Sequence, residues 1–193
     1  MDLTTGTVED KNSRAKKMML WFGMGSMIMT FAGLTSAYVV SKSRPDWLDN
    51  FEIPTAFYMS TLVILLSSLT MHLAKIYIQQ EQHGTGKVLL LFTFLLGISF
   101  VVFQFVGYTQ ILESGYYFTG AESNVTTSFL YAITITHIGH VIAGLIVLVV
   151  VIYNHFKERY IGGNTLGLEL GATFWHFLDF LWVYLILFFY FLR

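Results

Sequence analysis

Seven side chains in the last third of this sequence are of types that move protons, ligate metals or lock helices together. They are His137, His140, Glu169, Trp175, His176, Asp179 and Trp182. His137 and His140 are three apart, and so are His176 and Asp179, which puts each pair on one face of a helix. Two imidazoles on one face suit a transition metal, but a closed site needs more ligands, and only His72 and His176 remain within apolar segments. Glu169, Asp179 and three histidines could instead relay protons. A third reading is structural: a His–Asp pair reduces the cost of burying either group and holds the imidazole orientation. The uniformly greasy surroundings favour this third reading, a polar network that fixes helices and holds lipid headgroups or a partner.

The segments that position these residues are too apolar for a soluble protein. Hydrophobic residues make up 55% of the 193 and charged residues 12%, too little charge to cover a soluble surface. A net charge of −1 lacks the basic face that nucleic acid requires. With no cysteine, disulfides and thiolate ligation of metals are excluded.

Spanning a bilayer takes about 20 mainly apolar residues. Five stretches qualify: Met18–Val40, Thr55–Ile78, Val88–Leu112, Thr127–Tyr153 and Leu166–Leu192. They show no alternation of apolar and polar residues, so helices are expected and strands are not. The predicted fold is all-α: residues 1–17 form a polar, mobile tail, and 18–193 form one bundle of five transmembrane helices. The first apolar run is too long for a cleavable signal. An odd helix count without a repeat disfavours an inverted-repeat transporter.

Lys11, Arg14, Lys16, Lys17, Lys75, Lys87, Lys157 and Arg159 fall on one side of this topology, and Lys42, Arg44 and Arg193 on the other. The excess of positive charge predicts a cytoplasmic N-terminus and a periplasmic C-terminus. Asn124-Val125-Thr126 is formally a glycosylation sequon and carries little weight.

Gly23, Ser26, Thr30, Gly33 and Ala37 line one face of the first span and predict a close helix contact, within the chain or with a partner. Ser67, Ser68 and Thr70 in the second span read as hydrogen-bonding glue. Gly167 and Gly171 make a weak GxxxG, and the phenylalanines of the last span surround it without forming a seam. The fourth and fifth spans should be antiparallel neighbours. At about 1.5 Å per residue, His140 lies roughly 22 Å and Asp179 roughly 18 Å from their connection, so the two are predicted to meet.

The stretch Ala172-Thr-Phe-Trp-His-Phe-Leu-Asp-Phe-Leu-Trp182 resembles the last-helix motif of subunit III of haem–copper oxidases. Tyr131-x-x-Thr134-x-x-His137-x-x-His140-Val141-x-x-Gly144 resembles that family's preceding helix, Ser67-Ser68-x-Thr70 and Phe100-x-x-x-Gln104 resemble two earlier ones, and the likeness extends over about residues 18–192. The resemblance implies a short, five-helix bacterial form. It also implies a non-catalytic accessory subunit that stabilises the catalytic subunit I, supports proton uptake and binds phospholipid. The haem and copper would belong to partner subunits, with no metal or catalytic residue in this chain. The site residues would then be His137, His140, Glu169, Trp175, His176, Asp179 and Trp182, as a structural polar network in contact with a subunit or lipid.

Two departures weaken any relay. Met27 follows Ser26 where the family usually has an acid, and Gly107 stands where a Glu often lies three residues after the Gln. Glu169, seven residues before His176, resembles the cytochrome c branch rather than the quinol branch. The expectation is therefore subunit III of a proton-pumping cytochrome c oxidase in a bacterial cytoplasmic membrane, bound to oxidase subunits and membrane lipids. A quinol oxidase subunit is the near alternative. A small transporter or a self-sufficient haem or metal membrane protein is the distant one.

Overall fold

The computed structural model describes residues 7–48, 51–120, 123–158, 160 and 165–192. Five long helices account for most of them: α1 (Val8–Val40), α2 (Thr55–Gln79), α3 (His83–Glu113), α4 (Val125–Phe156) and α5 (Leu166–Leu192). All five are long and apolar enough to cross a membrane. Arg159, Arg193 and the first six residues of the expected tail lie outside the described residues.

α1 begins ten residues before the expected apolar start at Met18, so residues 8–17 are helical. The local reason is a capping box: the Thr7 side chain accepts from Asp10 N at 3.2 Å, and Thr7 N donates back to the Asp10 carboxylate at 3.1 Å. This satisfies helix-end amides in a polar stretch that apolar content alone would leave uncounted. α3 likewise starts early, at His83, with only three residues between it and the end of α2. Glu81 makes that turn with φ 61°, and Gly86 lets α3 close onto the Ile78 side chain, which a Cβ would strike.

α2, α3, α4 and α5 close a four-membered ring in which each packs on the next and α5 returns to α2; α1 lies outside it, in the groove between α4 and α5. The core runs through the ring along Phe57, Ile64, Leu90, Phe100, Leu148, Trp175 and Trp182. α1 contributes Met24, Phe31, Thr35 and Tyr38. Tyr38 anchors it with edge-on contacts to Trp47, Phe129, Phe188 and Phe189.

The small-residue stripe does not make this contact. Gly23, Ser26, Thr30 and Gly33 are exposed, and a Cβ on Gly23 or Gly33 would meet nothing within 4 Å. Bulky residues on the opposite face fill the groove instead; of the contact expected within the chain or with a partner, the stripe is left open to the second.

Candidate functional site

Three polar side chains of α5 face α2. His176 Nδ1 lies 2.7 Å from Ser68 Oγ, Trp175 Nε1 donates to Ser67 Oγ at 3.0 Å, and Trp182 Nε1 donates to Thr61 Oγ1 at 3.0 Å. The first two join adjacent residues, and the third lies about two turns farther along the α2–α5 seam. α2 then reaches α3: Ser67 Oγ donates to Thr93 O at 3.4 Å, Thr70 and Thr93 share a hydroxyl bond of 2.8 Å, and Gln104 Nε2 donates to Ser60 Oγ at 3.0 Å. α2 is therefore the hub, because its small hydroxyl side chains let helices approach and still offer acceptors. In place of the polar bonds expected between α4 and α5, the contacts shown between them among the described residues are ring and apolar ones, His137 on Trp182 and Gly144 against Leu178.

Trp175 crosses the ring interior. A Cβ on Gly97 of α3 would lie 2.7 Å from the indole, and one on Gly144 of α4 would lie 3.3 Å from it. Both glycines thus clear space for one ring.

His137 is fully buried. Its ring stacks on Trp182 (centroids 5.3 Å, 25° between planes), with Phe31 and Phe100 meeting it at steep angles at 6.2 and 6.0 Å. Neither of its nitrogens has a hydrogen-bond partner. His140, one turn on, bonds through Nδ1 to Thr136 O of its own helix at 2.8 Å. It does not pair with Asp179. That carboxyl is 3% exposed and makes no hydrogen bond of good geometry; the Ser68 hydroxyl is the group beside it. The depths suited a pair, but Asp179 turns toward the α2 side, beside Ser68, while His140 lies against Phe31 of α1.

Glu169 stands apart from this seam at the opening turn of α5. Its carboxylate is 3.7 Å from Lys17 Nζ and accepts from Thr165 Oγ1 at 3.3 Å, tying α5 to α1. Among the described residues, no three His, Asp or Glu side chains form a group able to hold a metal ion.

Sequence reasoning missed Thr61, Ser60, Thr93 and Gly97. A small or hydroxyl residue among bulky apolar ones was the available signal. At Gly107, the usual acid position, a Cβ would run into the Phe57 ring, so the aromatic fills the space an acid would need.

Residues 28–193 match the family described as Cytochrome c oxidase subunit III. Cytochrome c oxidase subunit 3 of Bacillus sp. (strain PS3) is 26% identical over 93% of this chain and 85% of its own length. Cytochrome bo(3) ubiquinol oxidase subunit 3 of Buchnera aphidicola subsp. Acyrthosiphon pisum (strain APS) is 25% identical over 93% of the chain and 88% of its length. The cytochrome c oxidase subunit 3 of Drosophila yakuba is 31% identical over 70% of the chain but only 48% of its own length. The motif on α5, the histidine pair on α4 and the extent of the match agree: this chain belongs to the cytochrome c oxidase subunit III family.

Proposed function

We propose that the chain is a non-catalytic accessory subunit of a proton-pumping cytochrome c oxidase, seated in a bacterial cytoplasmic membrane with its N-terminus cytoplasmic. Its work is to present a rigid helical face to the catalytic subunit and to hold phospholipid beside it. The observation that carries this reading is the α2–α5 seam, in which three interhelical side-chain bonds serve to fasten helices and none serves a reacting group. Lys11, Arg14, Lys16, Lys17, Lys75, Lys87 and Lys157 gather at one end of the bundle and favour that end as the cytoplasmic one.

An apolar groove of about 440 Å³ between α1, α4 and α5, lined by Leu20, Val147, Val150, Gly171 and Phe174 among others, suits an acyl chain. Lys17, at the same end, would meet an anionic headgroup. Support for proton uptake into the partner would rest on the histidines and Asp179, since Met27 and Gly107 carry no acid.

The test is purification by a tag on this chain. Haem-containing oxidase subunits should co-purify, oxidise reduced cytochrome c, and keep their absorption spectrum when this chain is removed. A Soret band that stays with the isolated chain would overturn the reading. Oxidation of quinol and not of cytochrome c would transfer the chain to the other branch, which the Buchnera relative represents at similar identity.

A further inference from the structure

Where α2 begins and α3 ends, at the end of the bundle opposite Lys75 and Lys87, a cavity of about 430 Å³ opens between the segment 51–55 and the turn after α3. Local packing fixes its walls. Phe51 and Ile53 are 3% and 6% exposed. Gly115, at φ 81°, closes α3, and the Tyr116 N–H donates back to Ile111 O at 3.2 Å, which holds Tyr116 in place. The Phe51 and Tyr116 rings meet at 5.7 Å and 67° and form a corner of the cavity.

The lining sets the sign of a guest. Among the described residues around the cavity, Glu52 carries the only formal charge. The start of α2 has no side-chain cap of its own, because Pro54 stands at that position. Gln110 supplies the cap from α3: its Oε1 accepts from Ala56 N at 3.2 Å. The helix end that attracts anions is thereby covered by a neutral amide oxygen. Glu52 then repels an anion and draws a cation.

A bare ion does not match this room. Calcium takes about 6–8 oxygen ligands, which one carboxylate does not supply. The cavity also exceeds a water's share of about 30 Å³ many times over. Aromatic faces attract organic cations instead, and the hydroxyls of Thr55 and Ser114 border the same space and can accept from N–H donors. We propose that this cavity binds an alkylammonium group, with Glu52 pairing its charge and Phe51 and Tyr116 presenting their rings. Beside a membrane this chemistry has two sources, the ethanolamine headgroup of a phospholipid and a soluble amine. Bound there, the group ties the segment before α2 to the turn after α3. The site lies at the other end of the bundle from Lys17 and the acyl-chain groove, and it does not depend on which electron donor the complex uses.

The complex with which the chain purifies is stripped of lipid in detergent and titrated separately with phosphatidylethanolamine and phosphatidylglycerol, and bound lipid is counted by native mass spectrometry. The wild type should hold one more phosphatidylethanolamine per chain than the Glu52→Gln complex, which should bind it about fivefold more weakly. Phosphatidylglycerol uptake should not differ between them. Tyr116→Phe should match the wild type, Tyr116→Leu should weaken binding by a similar factor, and Glu52→Lys should turn the preference toward phosphatidylglycerol. Titration with free ethanolamine, followed by calorimetry, separates the sources. Heat that depends on Glu52 marks a soluble amine, and lipid retention that depends on Glu52 without such heat marks the headgroup; either supports the site. No difference between wild type and Glu52→Gln in both arms, or an equal loss of phosphatidylglycerol, overturns the proposal. Glu52 is exposed, so its replacement by Gln leaves the packing intact.

Discussion

Trp175 lies between Gly97 and Gly144, so the size of Gly97 is set chiefly by the indole and that of Gly144 by Leu178 with the indole behind it. Gly97→Val should therefore overpack the ring interior by about 1–3 kcal/mol, whereas Gly23→Ala and Gly33→Ala, which meet nothing, should leave the chain's thermal midpoint unchanged. Thermal unfolding of the complex in detergent, followed through loss of this subunit, checks both. Ser68→Ala removes the bond to His176, worth about 0.6 kcal/mol for an average interhelical hydrogen bond in a membrane, and should lower the midpoint slightly. Asp179 behaves differently. With only the Ser68 hydroxyl beside it, and that hydroxyl already bonded to His176, its carboxyl carries a burial cost that is poorly compensated. Asp179→Asn should keep or raise the midpoint, and a fall of several degrees would show that the carboxyl has a partner in the complex.

Among the helices, α2 carries the polar bonds and α5 the bulk, and this division was only half legible in the sequence. Apolar length is a one-dimensional property, so the five spans could be read directly; α2 and α5 begin where expected. Rotation about the helix axis is not one-dimensional. The depths of His140 and Asp179 were consistent with a pair, yet which neighbour each faces depends on how four other helices pack. His140 also had a competitor within reach, the carbonyl four residues back. The start of α1 was obscured because a capping box acts through polar residues that hydropathy discounts. That extension is held to α5 by one half-exposed ion pair, Lys17–Glu169, of the kind worth about 0–1 kcal/mol. Lys17→Ala should accordingly move the midpoint by no more than a few degrees in low salt and not at all in high salt. In the loop after α1, Arg44 holds the Asp46 carboxyl below its ordinary value, chiefly through their hydrogen bond. That contribution is present above the carboxyl's unfolded value and fades as pH falls through the lowered one, so it should vanish only in acid. Comparing wild type with Arg44→Gln across that range is the check; both groups are fully exposed, so the difference should be small.

For the molecule as a whole, five helices are long and apolar enough to cross, and five crossings would put the two ends on opposite faces of the membrane. A reporter that fluoresces only in the cytoplasm should light when fused to the N-terminus and stay dark at the C-terminus; the reverse would invert the proposed orientation. The short α2–α3 turn bears on how the protein is made. Gln80 to Gln82, fully stretched, reach about 10 Å, a third of the roughly 30 Å of hydrocarbon. The adjoining ends of α2 and α3 can never sit on different sides of the bilayer, even for a moment. The insertion machinery must then keep both of these ends on one face, whichever segment enters first.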